Sequence, residues 1–345
     1  MQRYGMIGAV AAALSLFGLP STAQAQDSLT VVSWGGVYQD AERFALFQPT
    51  AKDLGITINE DTLSGLAEIR LQVQSGAVTW DIVELGTSGC VQGAAEGLFE
   101  PLDYNVINTD GMAPSTYDEY WIGVMYYSTV LAWNTDKYGD NPPRNWADFW
   151  DVEKFPGSRA LWNSPDTMLE LALMADGVAP DELYPIDVDR AFAKMNEIRA
   201  NIDVWWTSGA QSAQLIKDGE VDMIALWVSR VIGAIKDGAN ADYTFNQGVI
   251  DIGCWTVPKG SPNKELAMRV LAQFASPDKQ ANLPMHIDYG PVNAKAYDTG
   301  KISAEKQMTL NSAPHNLALQ IPFDPKFWAD NGPALNERWD EFMTQ

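Results

Sequence analysis

Histidine and cysteine are both scarce in this chain, with two residues of each among 345. Few histidines are therefore available for a Ser/His/Asp triad. The histidines also lie far along the chain from the cysteines, so the four residues do not have metal-ligand spacing. Gly-x-Gly-x-x-Gly, a phosphate loop and Gly-x-Ser-x-Gly are also missing. We therefore expect no catalytic residues, no metal and no cofactor. A secreted α/β enzyme such as a glycosidase is the alternative.

Positive charge is also in short supply. The chain has 23 Lys and Arg against 45 Asp and Glu, a formal net charge of -22. Such an acidic protein repels nucleic acid and anionic membranes, so we expect neither as a partner. Because the acids are spread along the chain, solubility explains them more simply than a general attraction for cationic ligands.

Long hydrophobic runs are confined to the N-terminus, since none after Leu19 reaches the roughly 18 residues that span a bilayer. Arg3, the apolar run 6–19 and the small residues around Ala25 have the order of a secretory signal peptide. We predict that residues 1–25 are cleaved and that the mature protein is periplasmic. No cysteine follows the signal, which argues against a lipid anchor.

The two cysteines, Cys90 and Cys254, would reside in an oxidising compartment. A disulfide requires Cα atoms within about 7 Å, which a sequence does not show. The sequence therefore leaves their pairing open.

Strand-like and helix-like segments alternate along the chain, which predicts an α/β fold with parallel strands and right-handed crossovers. The predicted strands are residues 29–33, 56–60, 80–84, 121–134, 160–162, 204–206, 219–227 and 251–258, and the main predicted helices are 39–47, 65–75, 88–96, 145–150, 167–174, 188–198, 212–217, 230–236 and 264–275.

The long run 121–134 is able to cross from one α/β unit to a second, and 251–258 to return. We predict two α/β lobes joined by two crossing strands. Lobe 1 comprises 26–128 and 250–310, lobe 2 comprises 129–249, and 311–345 forms a C-terminal helical segment packing on the lobes. A ligand would bind in the cleft, at the carboxyl ends of both sheets.

Five segments, in order along the whole mature chain, resemble the spermidine/putrescine branch of periplasmic substrate-binding proteins of ABC transporters: Ser33-Trp-Gly-Gly-Val-Tyr38, Asn145-Trp-Ala-Asp-Phe-Trp150, Ala172-Leu-Met-Ala-Asp-Gly177, Val257-Pro-Lys-Gly-Ser-Pro-Asn263 and Asp288-Tyr-Gly-Pro-Val-Asn293. The resemblance implies the type II periplasmic binding protein fold, hinge closure around a solute, no catalysis, and delivery to permease subunits in the inner membrane. We expect a monomer.

The resemblance also implies where ligand contacts lie. Aromatic positions, the polar loop 86–88, the crossing strand and one basic residue together give the predicted ligand-binding set: Trp34, Tyr38, Ser88, Tyr127, Trp206, Trp227, Arg230, Trp255 and Tyr289. The alternative for any one tryptophan is core packing, which we predict for Trp133, Trp146 and Trp150.

Two positions depart from the polyamine pattern. Gly253 stands where the family has its key acid, and Asp166 is the only acid near the start of the second-lobe helix. Arg230 matches an arginine of relatives that bind amino acids such as γ-aminobutyrate, where a guanidinium grips a carboxylate through two hydrogen bonds. The alternative is a surface arginine beside an acidic patch.

Aromatic residues, a carboxylate clamp and a missing acid together predict a small onium-carboxylate zwitterion, such as dimethylsulfoniopropionate or a betaine, held by cation–π contacts. The alternatives are a polyamine (putrescine or spermidine) or γ-aminobutyrate receptor whose acid comes from another position such as Asp166 or Asp251, and an aromatic-acid receptor.

Overall fold

The computed structural model describes residues 27–344, so the predicted signal peptide lies outside the described residues. The strands of this part are β1 (Ser28–Ser33), β2 (Thr57–Thr62), β3 (Ile82–Gly86), β4 (Trp121–Asn134), β5 (Arg159–Trp162), β6 (Val204–Trp206), β7 (Met223–Trp227), β8 (Ala241–Thr256), β9 (Gly290–Pro291) and β10 (Ile321–Pro322).

The α-helices of the same part are α1 (Gly36–Glu42), α2 (Gln48–Leu54), α3 (Leu66–Ser75), α4 (Thr87–Ala95), α5 (Thr135–Tyr138), α6 (Trp146–Trp150), α7 (Met168–Ala175), α8 (Val188–Ile198), α9 (Gly209–Lys217), α10 (Val228–Lys236), α11 (Lys264–Phe274), α12 (Pro277–Gln280), α13 (Ala304–Thr309), α14 (Pro314–Leu317) and α15 (Pro325–Thr344). A π-helical turn, Arg43–Phe47, joins α1 to α2.

The sheet has the strand order β2-β1-β3-β8-β4-β7-β5-β6, with β9 beside β4 and β10 beside β8. Strands β4 and β8 are antiparallel partners along their length. At one end β8 also pairs with β3 through residues 253–256, and at the other end β4 pairs with β7 through residues 129–133. The predicted α/β fold of two lobes joined by two crossing strands is confirmed. We propose that the lobes meet near the predicted boundaries, between residues 128 and 129 and between 249 and 250, where the outer partner of the β4–β8 pair changes from β3 to β7.

The crossing strand β8 is much longer than the sequence indicates, because it begins at Ala241 rather than Asp251. Its first half is polar and lacks a clear alternation, so it does not look like a strand. Pairing with residues 131–134 of β4 stabilises it there. The register shifts near Gln247, whose φ is 59°, and the Trp146 indole donates to the Gln247 carbonyl at 2.8 Å.

The C-terminal helix α15 completes the core of lobe 2. Trp328, Trp339 and Phe342 are buried among lobe-2 side chains, and the Trp339 indole donates to Asn163 Oδ1 at 2.9 Å. The same helix contacts α4 of lobe 1. Trp133 and Trp146 are buried in the lobe-2 core, whereas Trp150 is half-buried against it.

Cys90 on α4 and Cys254 on β8 form a disulfide, with their Cα atoms 6.8 Å apart. The bond answers the question that the sequence left open. Since α4 follows directly on β3, and β8 pairs with β3, the disulfide fixes the start of α4 against the returning strand. The start of α4 and this part of β8 both border the cleft.

Candidate ligand-binding site

A cavity of about 560 Å³ lies where the two lobes meet, at the middle of β4 and β8. Lobe 1 contributes the ends of β1 and β3, and lobe 2 contributes the ends of β5 and β7. The principal side chains of its wall are Trp34, Tyr38, Glu84, Ser88, Met125, Tyr127, Trp162, Asp166, Thr167, Trp227, Arg230, Asp251 and Tyr289. The position agrees with the rule that ligands bind at the carboxyl ends of strands in open α/β sheets.

Seven of the nine predicted ligand-binding residues lie in this wall: Trp34, Tyr38, Ser88, Tyr127, Trp227, Arg230 and Tyr289. Trp34 is 44% exposed, so much of its ring is free for a ligand. Tyr38 and Tyr289 meet edge to face with their centroids 6.3 Å apart. Direct contact of these residues with a ligand stays a prediction.

Trp255 does not line the cavity, contrary to the sequence-based expectation. It projects from the same face of β8 as Gly253, but one step further from the cleft. There it is fully buried, with ring centroids 6.0 Å from Phe47 and 5.6 Å from Phe274. Trp255 therefore belongs to the core of lobe 1.

Trp206 also lies outside the wall. It is fully buried and its indole donates to the Ala225 carbonyl at 3.0 Å. Its ring stacks on Trp162 and meets Trp227 edge to face, at centroid distances of 5.8 and 5.3 Å. Trp206 thus supports two wall tryptophans from behind, and its neighbour on β5, Trp162, takes the position at the cavity.

Three carboxylates line the cavity, which overturns the premise that acids are largely missing. They are Glu84, Asp166 and Asp251. A Cβ built on Gly253 would lie only 2.5 Å from Glu84 Oε1. The acid beside Gly253 is therefore supplied by the neighbouring strand β3, and glycine leaves the space that it occupies.

Asp251, on the crossing strand β8, is hydrogen-bonded to residues of β4 and α4. It accepts hydrogen bonds from the Thr87 hydroxyl and, at 2.5 Å, from the Tyr127 hydroxyl. Burial raises the pKa of Asp251 to about 6. Burial and the nearby charge of Asp251 together raise the pKa of Asp166 to about 6 as well.

Glu84 accepts from the Tyr38 hydroxyl at 2.6 Å and from the Ser33 hydroxyl at 2.8 Å. Burial raises the pKa of Glu84 to about 7. Behind it, Glu42 is fully buried and lies 2.5 Å from the same Ser33 hydroxyl. Burial, and then the charge of Glu84, raises the pKa of Glu42 well above its ordinary value.

Arg230 lies in the first turn of α10, in lobe 2, and forms no ion pair with any residue between 27 and 344. Its Nε is buried without a hydrogen-bond partner. Arg230 is half-buried in the cavity wall rather than on the outer surface, so its guanidinium is available to a carboxylate.

Sequence reasoning missed Glu84 and Trp162, and considered Asp251 only as an alternative. Trp162 ends β5 as Trp227 ends β7, so the rule that ligands bind at the carboxyl ends of strands could have found it. Glu84 is an acid within an otherwise apolar buried strand, which is a signal of a paired or functional carboxylate. Together these groups offer aromatic faces, acceptors for an ammonium and a donor for a carboxylate. Among residues 27–344, no three acidic, histidine or cysteine side chains cluster to hold a metal ion.

A cleft between two α/β lobes, lined by polar and aromatic groups from both, is typical of solute-binding proteins. The chain belongs to the bacterial extracellular solute-binding protein family, whose model matches residues 45–309. The γ-aminobutyric acid-binding protein of Pseudomonas aeruginosa is 36% identical over 342 residues, which are 96% of each chain. Spermidine/putrescine-binding periplasmic proteins are more distant relatives.

Solved structures agree with this assignment. An ABC transporter substrate-binding protein from Bradyrhizobium japonicum USDA 110 is 47% identical, with a TM-score of 0.89 over 92% of this chain and 99% of that one. The PBP MotA from A. tumefaciens B6, in complex with glucopine, is 44% identical, with a TM-score of 0.84 over 91% and 99%. The relatives are substrate-binding proteins of ABC transporters and not enzymes. They confirm the predicted substrate-binding family and the prediction that the chain is not an enzyme. In the described chain, no helix has the length and apolarity to cross a membrane.

Proposed function

We propose that the protein captures a small ω-amino acid of the γ-aminobutyrate class and delivers it to the permease of an ABC importer. The observation that carries this proposal is the unpaired Arg230 of lobe 2, which faces the same cavity as Glu84 of lobe 1 and Asp251 on the crossing strand. A zwitterion with a carboxylate at one end and an ammonium at the other satisfies both sides.

The carboxylate end of the ligand would bind Arg230. A guanidinium donates two parallel hydrogen bonds to a carboxylate, and hydrogen bonds between charged groups contribute about 1.5–3 kcal/mol. Because the Nε of Arg230 is buried without a partner, the terminal nitrogens of the guanidinium are the donors that would face the ligand carboxylate in the cavity.

The ammonium end would bind the carboxylates of Glu84 and Asp251. Each accepts from a tyrosine hydroxyl, Tyr38 and Tyr127 respectively, which fixes its orientation. An ammonium with three N–H donors is able to pair with these acceptors, while Trp34 and Trp227 would cover the aliphatic carbons between the two ends.

Methylated onium carboxylates, including dimethylsulfoniopropionate and betaines, are the second candidate. Cation–π contacts with the wall rings Trp34, Trp162 and Trp227 favour them, at about 0.5–2 kcal/mol per ring. They have no N–H for Glu84 or Asp251, however, so both carboxylates would lose hydration without gaining a donor. Polyamines fit the acids but place a second ammonium near Arg230.

A relative supports this ligand class, since the Pseudomonas aeruginosa protein is named for binding γ-aminobutyric acid. We further propose that the protein is exported to the periplasm by a cleaved signal peptide, acts as a monomer, closes by hinge motion around its ligand, and docks on permease subunits in the inner membrane.

Calorimetric titration with four matched compounds tests the ligand class. γ-Aminobutyrate should bind. Butyrate, which lacks the ammonium, and putrescine, which lacks the carboxylate, should each bind at least about 10-fold more weakly. γ-Trimethylaminobutyrate keeps the carboxylate and the cation but removes every N–H. Tighter binding of the trimethyl compound would favour the onium ligands, and tighter binding of putrescine would favour a polyamine receptor.

The variant Arg230→Gln provides the internal control for this series. It should weaken binding of both carboxylate-bearing zwitterions by roughly 10- to 100-fold, and should leave putrescine binding unchanged or stronger. An equal loss for all compounds would show that Arg230 supports the cavity rather than the ligand carboxylate.

A further inference from the structure

Behind the cavity wall, two glutamates are joined through one serine hydroxyl. Ser33 Oγ lies 2.5 Å from Glu42 Oε2 and 2.8 Å from Glu84 Oε2. Ser33 and Glu42 are fully buried and Glu84 is 1% exposed. The ligand-binding role proposed above uses Glu84 but assigns nothing to Glu42.

The number of protons available decides the charge of this pair. A serine hydroxyl has one hydrogen, so Ser33 is able to donate to only one of the two carboxyl groups. An ionised carboxyl oxygen that receives no hydrogen from Ser33 would repel the lone pairs of the hydroxyl at such a short distance. The second contact therefore requires a proton on one of the two carboxyl groups, which then donates to Ser33.

The surrounding donors show which carboxyl group carries that proton. Glu84 accepts from Tyr38 at 2.6 Å in addition to Ser33, so its negative charge is solvated by two hydroxyls. Glu42 Oε1 is buried with no hydrogen-bond partner. An ion at Glu42 would have at most the Ser33 hydroxyl as a donor, and a buried ion with so little compensation is far more costly than a neutral acid.

We propose that Glu42 is a positioning residue for the ligand ammonium: it holds the proton of the pair, donates it to Ser33, and leaves Glu84 as one oriented anion facing the cavity. The hydrogen bonds then run in one direction, from Glu42 to Ser33 and from Ser33 to Glu84. Tyr38 donates to Glu84 from the other side.

The charges around the pair are consistent with a single negative charge. Glu42 and Tyr38 both lie on α1. The other titratable groups nearby are Glu84 and, beyond Tyr38, Tyr289, whose hydroxyl is close to Arg230 and Glu84. Arg43 follows Glu42 in the chain but binds Glu60 and Asp40 instead. No basic side chain in residues 27–344 forms an ion pair with Glu42 or Glu84.

The consequence for recognition rests on the proposed ligand class. One anion at Glu84 matches one ammonium group. Two ionised glutamates would repel each other in the apo protein, and a neutral Glu84 would lose its attraction for a cation. The proton on Glu42 thus selects for a monocationic end at this point of the cavity.

Two isosteric variants decide where the proton resides. Glu42→Gln keeps a donor toward Ser33 and should bind γ-aminobutyrate within about 3-fold of the wild type, because the amide replaces a neutral acid. Glu42→Leu keeps no donor toward Ser33 and should weaken binding by about 10-fold; unchanged binding by Glu42→Leu would overturn the positioning role. Glu84→Gln removes the proposed anion and should weaken binding roughly 10- to 100-fold. Retained binding by Glu84→Gln with loss by Glu42→Gln, or equal loss by both, would overturn the proposal.

Infrared spectroscopy of the ligand-free protein at neutral pH tests the proton directly. The wild type minus Glu42→Gln difference spectrum should contain the carbonyl stretch of a protonated carboxyl group. Glu170→Gln is a control for the binding experiment. Glu170 is buried in lobe 2 with a pKa that burial raises to about 7, but it does not line the cavity, so the substitution should leave binding unchanged.

The infrared result does not depend on any ligand. Absence of the protonated-carboxyl band from the Glu42 difference spectrum would overturn the proposal even if γ-aminobutyrate binds. Failure of every zwitterion to bind the wild type, with the band present, would overturn the proposed ligand class and leave the proton assigned to Glu42.

Discussion

Gly209, the first residue of α9, lies directly against the Arg230 side chain, because a Cβ built on Gly209 would be 2.6 Å from Arg230 Nε. The same Cβ would be 2.8 Å from the Trp227 ring. The absence of a side chain at residue 209 therefore sets the position of the guanidinium in the cavity.

We expect Gly209→Ala to weaken binding of γ-aminobutyrate by about 10-fold or more, since the added methyl group displaces Arg230 and Trp227. Gly233→Ala on α10 is the matched control, because a Cβ there meets no atom within 4 Å. The control should keep its affinity and gain up to about 1 kcal/mol of stability from better helix propensity. Equal affinities of both variants in calorimetry would contradict the proposed role of Gly209.

Ligand affinity should increase with pH between about 5 and 7.5. The free protein must ionise Asp251 and Asp166, whose pKa values are raised to about 6, and Glu84, whose pKa is raised to about 7, before they attract an ammonium. Each proton released on binding changes Kd by up to about 10-fold per pH unit. Calorimetry in buffers of different ionisation enthalpy would count those protons. An affinity independent of pH in this range would show that the carboxylates do not contact the ligand.

Stability of the ligand-free protein should show the opposite trend and fall as the pH rises from about 5 to 7.5. Burial raises the pKa values of Asp166, Asp251, Glu84 and Glu170 above their unfolded values. The folded state therefore binds more protons than the unfolded state in this window, and the stabilisation is lost as the pH passes the folded pKa values.

Thermal unfolding at pH 5.5 and 7.5 measures this trend, with a higher Tm expected at pH 5.5. The difference should become smaller in Glu170→Gln, because that substitution removes one titrating group outside the cavity. A Tm that is highest at pH 7.5 in the absence of ligand would be inconsistent with buried, partly protonated carboxyl groups.

Removing the disulfide should destabilise lobe 1. We expect the double variant Cys90→Ala/Cys254→Ala to lose about 2–5 kcal/mol of unfolding free energy in denaturant titrations. Wild-type protein titrated with a reducing agent should shift to the same midpoint. Identical midpoints with and without reductant, in the wild type, would show that the cysteines are not joined.

Local patterns in the sequence predict much of the fold. The apolar run 121–134, the amphipathic segment 188–198 and the short strand 204–206 have the same bounds in the structure. The first half of β8 is missed because its stability comes from pairing with β4, a contact far away in the sequence. Tertiary pairing of this kind leaves little trace in local composition.

In the candidate site as well, some positions are predicted correctly from the sequence, whereas others depend on contacts between distant strands. The resemblance correctly predicts that Trp34 and Trp227 lie at the cavity, where the carboxyl ends of their strands meet. The resemblance misplaces Trp255, which is buried in the core of lobe 1, because the position of a side chain along a strand depends on the register with the neighbouring strands. Gly253 looks like a lost acid in the sequence alone, and only the pairing of β3 with β8 shows that Glu84 occupies its space.

Tyr127 and Asp251 are directly opposite each other on the two crossing strands, at the place where the chain passes between the lobes. Side chains at a hinge move least when the lobes rotate about it. If the lobes close by the proposed hinge motion, an ammonium would bind Asp251 before closure, whereas Arg230 would approach with lobe 2. We expect binding in two kinetic steps, in which a compound without a carboxylate completes the first step and does not drive the second.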